Sequence, residues 1–392
     1  MTCVLVTSVC SHHGRHLVRA LRERGHEVIG LDGRLHGHSD SSPGAATLTI
    51  PADLDLIMSW PADQDSLALA LTRADAIIHL IPPVHPMDLD LLKRPPASPS
   101  AALTEMIALL RAAATAGIRR FVLQSSLMVY GEGHYIDEDG QPQPARRMVE
   151  DLQAGIWQAK GLRGQPIAAM PTPEDAPTSP LNEAAKLCLL RERMVRIWAR
   201  ATGADVAVLR MGRLYGTPMA GDITVGGEIG LMAAAVLRGE PPVLLEDGGQ
   251  TDDWLHVGDA AHAMCLALTA CNRDLPSLNI TSGIGHTATE VAELIAREAF
   301  GQAGQVRPLE MACIGTGRHL IGAPGAAENL IGFLPQHSFV AGLSDLIHWT
   351  RQAVIPEQAL DLMQHLQDAA DLIGPGKRSP TGAFSEMRGH LH

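Results

Sequence analysis

The first half of the chain alternates short apolar runs with helical patterns, and this alternation constrains the fold more than any other feature. The runs have the length and β-branched content of buried strands. They lie at 3–7, 26–32, 74–81 and 119–126. Patterns typical of helices separate them, at 16–25 and 101–117. Because strand–helix–strand repeats favour right-handed crossovers, the sequence predicts an α/β fold with a Rossmann-type doubly wound parallel sheet.

The rest of the chain indicates additions to this sheet. Residues 131–178 contain six prolines and predict an insertion, in which RRMVEDLQAGIWQAKG has the pattern of an amphipathic helix. We expect a smaller C-terminal α/β substrate lobe and a polar, mobile tail. The predicted boundaries are 1–215 for the dinucleotide-binding-type domain, 216–360 for most of the lobe, 256–280 for a return to the first domain, and 374–392 for the tail.

Composition excludes several classes of partner. A net charge of −12 with 3% aromatic residues argues against nucleic acid, which needs basic surfaces and stacking side chains. No apolar run has membrane-spanning length. The six cysteines form no CxxC pair, so we expect reduced thiols in the cytoplasm. His36, His38 and Asp40 alternate, but without a distant third ligand we interpret them as a surface loop and expect no metal site.

Seven stretches, taken in order, carry a family resemblance. They are HEVIGLD, ADAIIHLI, AGIRRFVLQSSLMVYG, SPLNEAAKLCLLRERMV, GADVAVLRMGRLYG, GQTDDWLHVGDAAHAMCLAL and LNITSGIGHTATEVAELIA. Together they resemble the extended short-chain dehydrogenase/reductase superfamily, in its NAD-dependent epimerase/dehydratase branch. The resemblance implies a Rossmann fold, a site for NAD(H), and a cleft for a small-molecule substrate between the domain and the lobe. It also implies a homodimer through the helices at 101–117 and 181–203.

The segment TSVCSHHG lies where this family carries its glycine loop, TGxxGxxG. The matching positions are Thr7, Ser8, Ser11 and Gly14, so only the last glycine is present. Gly14 can still permit close helix–strand packing, and the start of the helix still favours an anion. Two interpretations are open. In the first, the loop binds a dinucleotide, and hydroxyl or imidazole groups donate to its phosphates in place of the close backbone contact that glycines allow. In the second, the loop is only a structural turn.

Two acidic positions match the adenosine end of the family's cofactor site. Asp32 ends the second strand, where relatives place an acid on the ribose hydroxyls, and this favours NAD(H) over NADP(H). Asp53 and Leu54 match a dipeptide that lies near the adenine. The alternative for both acids is an exposed loop carboxylate.

The catalytic positions depart further from the family. Ser126 matches the catalytic serine, and Lys186 matches the lysine that contacts the nicotinamide ribose and lowers the tyrosine pKa. The tyrosine itself is replaced by Asn182, which does not titrate. Substitute acids to consider are Tyr130, Tyr135, His85 and His134.

Substrate positions also differ. Dehydratase relatives carry an Asp-Glu pair where this chain has Leu127 and Met128. Asp252 replaces an arginine found in sugar-nucleotide members, and an acid there would repel a diphosphate. Three hypotheses stay open: an enzyme with non-standard chemistry, a non-catalytic nucleotide-binding or scaffold protein, and an NAD-dependent epimerase or reductase with a relocated acid.

Overall fold

Seven parallel strands form the main sheet of the protein. The computed structural model describes residues 2–32, 53–57, 64–81, 99–217, 227–352 and 372–375. The strands are β1 (Cys3–Thr7), β2 (Glu27–Leu31), β3 (Asp55–Ile57), β4 (Ala76–His79), β5 (Arg120–Ser126), β6 (His134–Ile136), β7 (Pro142–Gln143), β8 (Ala145–Arg146), β9 (Lys160–Gly161), β10 (Ala168–Met170), β11 (Asp205–Met211), β12 (Arg213–Tyr215), β13 (Val243–Leu244), β14 (Thr251–His256), β15 (Ser277–Ile280), β16 (Gly285–Thr287), β17 (Arg307–Pro308), β18 (Ala312–Cys313), β19 (His319–Leu320) and β20 (Leu372–Ile373). The sheet order is β15-β11-β5-β4-β1-β2-β3, with every neighbouring pair parallel.

Helices cover both faces of this sheet. They are α1 (His12–Glu23), α2 (Gln64–Leu71), α3 (Pro99–Ala116), α4 (Val149–Gln153), α5 (Glu183–Thr202), α6 (Gly227–Leu237), α7 (Val257–Ala270), α8 (Ala288–Phe300), α9 (Gly325–Ile331) and α10 (Phe339–Gln352). One core cluster joins α1 and α7 to one face, and a second joins α2, α3 and α5 to the other. The prediction of an α/β, Rossmann-type doubly wound sheet is therefore confirmed.

The C-terminal part of the chain adds a smaller unit with its own core. This core packs α6, α8 and α10 around Tyr215 and Trp254. In the sequence, α7 and β15 come between α6 and α8, but β15 belongs to the main sheet and α7 to the helices that cover it. The chain therefore returns from the C-terminal unit to the main sheet before it completes that unit.

The insertion contains short strands rather than the long helix that its sequence pattern predicts. Only the five residues of α4 are helical. Strands β8 and β9 pair with each other, which brings the two ends of the predicted helix side by side. Gly155, with φ +73°, has the left-handed backbone that ends α4. Strand pairing and this glycine therefore override the local helical pattern.

Candidate functional site

Strands β1 and β4 meet at the point where the strand order reverses, and there the sheet edge carries Thr7 and His79. The Thr7 Oγ1 atom lies 2.8 Å from His79 Nδ1 and accepts the Leu80 amide at 3.1 Å. Burial lowers the pKa of His79 to about 3, so the ring is neutral at neutral pH. Ligands of open α/β sheets bind at this reversal, beyond the carboxyl ends of the strands.

The loop that follows β1 keeps a tight turn without its first glycine. Ser8 has a φ of +51°, in the left-handed region that glycine adopts at lower cost. The turn is closed by two hydrogen bonds to the Ser8 carbonyl, from the Ser11 amide at 3.1 Å and the Ser11 hydroxyl at 2.7 Å. Side-chain bonding within the loop thus compensates for a residue that does not favour this conformation.

Gly14 is the position in this loop where no side chain fits. A Cβ atom there would lie 2.5 Å from the Ser8 carbonyl oxygen and 2.6 Å from that of Val9. The Gly14 amide donates to Ser11 Oγ at 3.0 Å, so Ser11 caps α1. Helix α1 therefore starts directly against the loop.

The start of α1 presents hydrogen-bond donors that have no partner among the residues described. The backbone amides of His12 and His13 donate to no acceptor among these residues, as expected for the first turn of a helix. The ring nitrogens of His12 are also buried without a partner there, and the His13 ring lies against the side chain of Gln124. Burial lowers the pKa of His13 to about 3 and that of His12 well below its usual range, so both rings are neutral. With the helix dipole, these donors fit the phosphates of a dinucleotide.

The three residues predicted for the adenosine end have different surroundings. Asp32 is 4% exposed, and its carboxylate accepts the Cys10 amide at 2.8 Å, so it lies against the loop. Leu54 is buried in the core beside Gly30. Asp53 is instead an exposed partner of Arg22, at 2.9 Å. The structure places Asp32 at the loop and gives Asp53 a surface ion pair.

Ser126 ends β5 at the same sheet edge. Its Oγ accepts the Met128 amide at 3.2 Å and thereby caps a short 3-10 helix, Leu127–Tyr130. An oxygen used as an acceptor keeps its own proton for donation. Ser126 is half-buried and can donate that proton to a ligand oxygen.

Asn182 and Lys186 stand one turn apart at the start of α5, where the Lys186 amide donates to the Asn182 carbonyl at 3.0 Å. Asn182 caps α5 by accepting the Ala185 amide at 2.8 Å and donates to the Gly315 carbonyl at 2.9 Å. Lys186 is exposed, and Ala185 is the residue on the buried face of the helix. Among the described residues, Ser126 and Lys186 form no hydrogen bond with each other. If Ala185 is taken as the lysine position instead of Lys186, the residue four positions earlier is Leu181. Neither alignment therefore supplies both a tyrosine and a lysine.

Tyr130 belongs to a buried polar network. Its hydroxyl donates to Asn279 Oδ1 at 2.8 Å and accepts from Arg210 at 2.7 Å. Arg210 is in turn held by Glu192 at 2.8 Å, and Ser125 donates to the same carboxylate at 2.5 Å. Burial raises the pKa of Tyr130, which opposes its use as a proton donor and acceptor near neutral pH. This network was not predicted from the sequence.

The other substitute acids are no better placed. Tyr135 is 1% exposed, and burial raises the pKa of its phenol. His134 is half-buried, and its amide donates to Thr172 Oγ1 at 3.0 Å. His85 lies outside the described residues, as do His36, His38 and Asp40.

Asp252 is neutralised by a cation. Arg213 contacts it at 2.7 Å and also contacts Glu228 at 2.8 Å, while the guanidinium lies 4.7 Å from the centre of the Trp254 ring. The repulsion of a diphosphate that the sequence predicts from Asp252 is therefore weaker than an isolated carboxylate would cause.

The insertion is tied to the lobe by buried ion pairs. Arg147 lies between Glu132, at 3.1 Å, and Glu246, at 2.5 Å. Arg318 also contacts Glu246 and reaches Asp247 at 2.9 Å. These residues are far apart in the sequence, and only their mutual burial identifies them as one cluster.

Two kinds of feature are absent from the described part of the chain. No helix there is long and apolar enough to cross a membrane. No group of three or more histidine, cysteine, aspartate or glutamate side chains there is arranged to hold a metal ion.

The chain matches a known family model. The model, described as NAD dependent epimerase/dehydratase family, matches residues 4–149 and 163–281. Among curated proteins, dTDP-L-rhamnose 4-epimerase of Burkholderia thailandensis is 29% identical over 238 residues, which are 60% of this chain and 63% of that protein. The match thus spans less than two thirds of that relative. UDP-glucose 4-epimerase of Azospirillum brasilense is 24% identical over 89% of this chain and 92% of its own length.

Solved structures agree on the fold. UDP-glucose 4-epimerase of Thermotoga maritima, with UDP-glucose, superposes with a TM-score of 0.69 at 21% identity and covers 89% of this chain and 99% of its own. MoeE5, in complex with UDP-glucose and NAD, has a TM-score of 0.66 at 26% identity and covers 89% and 98%.

Proposed function

The chain belongs to the NAD dependent epimerase/dehydratase family, and on this premise we propose that it binds NAD(H) and acts on a nucleotide-linked sugar without the tyrosine–lysine pair of its relatives. The observation that carries the proposal is the start of α1, where the free amides of His12 and His13 follow a loop that admits no Cβ at Gly14. The relatives with known ligands support both the cofactor and the class of substrate.

The residues of the loop and of β2 suit NAD(H). The start of α1 would hold the phosphates, and Asp32 would accept hydrogen bonds from the ribose hydroxyls while repelling a 2′-phosphate. When bound, NAD(H) supplies a hydride acceptor or donor. Ser126 would donate its proton to an oxygen of the substrate beside that reacting ring.

Proton transfer by a phenol is not part of this proposal. Asn182 does not titrate, Lys186 is exposed, and Tyr130 is held by Arg210 and Asn279. A serine hydroxyl alone is too weak an acid to replace the tyrosine at neutral pH. We therefore expect either slow turnover or proton transfer by another group.

Calorimetric titration of the nucleotide-free protein tests the cofactor. We expect NAD and NADH to bind more tightly than NADP and NADPH, and Asp32→Ala to remove most of that preference. Asp53→Ala is the matched control, because Asp53 is exposed and paired with Arg22. No binding of any of the four dinucleotides would contradict the proposal.

The substrate is tested next with UDP-glucose and dTDP-L-rhamnose, in the presence of NAD. We expect Ser126→Ala to weaken binding or turnover and Lys186→Ala to change neither, because Lys186 is exposed. Equal losses in the two variants would show that the lysine does reach the site.

A second candidate function is a nucleotide-binding protein without catalysis. It is favoured by the absence of a titratable side chain at Asn182 and at Ala185, the residue that faces the buried side of α5. Proton NMR of each sugar nucleotide with NAD-loaded protein distinguishes the two functions. Binding without any new sugar signal supports the second, and appearance of an epimer supports the first.

A further inference from the structure

The connection between β18 and β19, residues 314–318, lies against the start of α5. We call this connection the strap. The side chain of Asn182, the residue that caps α5, donates to the Gly315 carbonyl in the strap at 2.9 Å. The two residues are 133 positions apart in the sequence, so this hydrogen bond joins the C-terminal part of the chain to a helix that covers the main sheet.

The strap comes close enough to its neighbours that two of its positions require glycine. A Cβ atom on Gly317 would overlap the carbonyl oxygen of Gly131, and one on Gly315 would lie 3.1 Å from the Cβ of Asn182. Gly315 also has a φ of +85°, which other residues rarely adopt. Gly131 directly follows the 3-10 helix that Ser126 caps. The strap therefore lies beside the segment that leads away from Ser126.

The strand that follows the strap packs on the carboxyl edge of the main sheet. Leu320 of β19 packs against an apolar cluster that includes Ile81, Leu127 and Cys188. Ile81 follows β4, Leu127 follows Ser126 at the end of β5, and Cys188 belongs to α5. The strap and β19 thus form a wall beside Ser126, on the side of the sheet edge where α5 begins.

The insertion holds the strap through different contacts. Arg147 donates to the carbonyl of Thr316, and the Glu132 carboxylate accepts the Arg318 amide at 3.1 Å. Arg147 and Glu132 also contact each other, at 3.1 Å. The insertion therefore supports the strap, while Asn182 joins the strap to α5.

We infer that Asn182 is a positioning residue, which holds the strap closed beside Ser126 while a nucleotide-linked sugar is bound. The inference rests on the proposed function. A closed wall excludes water from the reacting end of the ligand and slows its release. The side chain of Asn182 makes two bonds: its oxygen accepts the Ala185 amide and caps the helix, and its nitrogen donates to Gly315. Only the second bond holds the strap.

Asn182→Asp separates these two bonds. Aspartate caps helices as well as asparagine does, but a carboxylate has no proton to donate to the Gly315 carbonyl. We expect a melting temperature close to that of the wild type and faster hydrogen–deuterium exchange in peptides that cover the strap. We also expect UDP-glucose to dissociate from the NAD-loaded protein about fivefold faster, as the loss of one hydrogen bond predicts. The affinity for NAD should not change.

Gly317→Ala tests the strap independently, because its Cβ atom would displace the strap from the Gly131 carbonyl. It should also accelerate exchange in the strap and the release of UDP-glucose, and it replaces Asn182→Asp if that variant does not fold. Gly325→Ala is the matched control, since a Cβ atom at this position in α9 would have no described atom within 4 Å. It should leave both rates unchanged.

Three results would overturn the inference. Unchanged exchange in the strap of Asn182→Asp would show that the bond to Gly315 does not hold it. Faster exchange with an unchanged release of UDP-glucose would show that the strap does not retain the ligand. In both cases the proposed function would stand. Failure of the wild type to bind UDP-glucose or dTDP-L-rhamnose would overturn the inference together with the proposed action on a nucleotide-linked sugar.

Discussion

The side chain of Asn182 accepts the amide of Ala185 at 2.8 Å, and this contact makes Asn182 the N-cap of α5. An alanine cannot satisfy that amide. We expect Asn182→Ala to lower the free energy of unfolding by about 1 kcal/mol, with a further loss from the broken bond to the Gly315 carbonyl. Urea unfolding measures the change. Asn182→Ser is the control, because serine also caps helices, and it should retain most of the stability. A larger loss in the serine variant than in the alanine variant would contradict the assignment.

Three buried imidazoles predict how stability depends on pH. The pKa of His13 and of His79 is lowered to about 3, and that of His16 to about 4, mainly by burial. On unfolding these rings regain a pKa near 6.5, so below that pH the unfolded chain binds more protons than the folded protein. The free energy of unfolding should therefore be fully retained above pH 7 and fall as the pH drops from about 7 towards 4.

Urea unfolding at pH 7.5, 6 and 5 tests this prediction. Each imidazole contributes up to about 1.4 kcal/mol per pH unit inside the window. The range from pH 7 to 5 isolates the histidines, since most carboxylates titrate at lower pH. A free energy of unfolding that is constant from pH 7.5 to 5 would show that the rings are not kept neutral by burial.

The buried pair of Glu192 and Arg210 carries the network around Tyr130. Both side chains are less than a tenth exposed and lie 2.8 Å apart. We expect Glu192→Gln to lower the free energy of unfolding by about 3–5 kcal/mol, because it leaves a buried guanidinium without its counter-charge. The control is Glu293→Gln, which breaks the exposed pair with Arg297 on α8 and should cost less than about 0.5 kcal/mol. Thermal or urea unfolding measures the loss of stability in each variant. Equally small losses in the two variants would contradict a stabilising role for the buried pair.

The sheet and the site loop could be predicted because their signals are local. The strand 119–126 and the helix 101–117 agree closely with β5 and α3, since a buried strand and an amphipathic helix each have a short repeat. The position of Thr7–Gly14 between β1 and α1 follows from the same pattern. What one sequence could not supply is the direction of single side chains. Ala185 and Lys186 are neighbours in the sequence, yet Ala185 lies on the buried face of α5 and Lys186 on its exposed face, because successive helical residues point in different directions.

Contacts between distant parts of the chain were equally beyond sequence reasoning. Arg210 and Tyr130 are 80 residues apart, and Arg147 and Glu246 are 99 apart. No local pattern links such pairs. His13 is an intermediate case. Its place at the start of α1 was visible, but its neighbour Gln124 belongs to a strand more than a hundred residues later.

The faces of α3 and α5 that point away from the sheet predict the oligomeric state. Ile107 on α3 is 42% exposed and Ile197 on α5 is 65% exposed, and the two helices pack against each other. Exposed aliphatic side chains on adjacent helices are typical of a surface covered by a second copy. We expect light scattering to give about twice the monomer mass for the wild type and the monomer mass for Ile197→Asp. Ile284→Asp, at a position 60% exposed in the C-terminal unit, should remain dimeric. A monomeric wild type, or an Ile197→Asp variant that still dimerises, would contradict this interface.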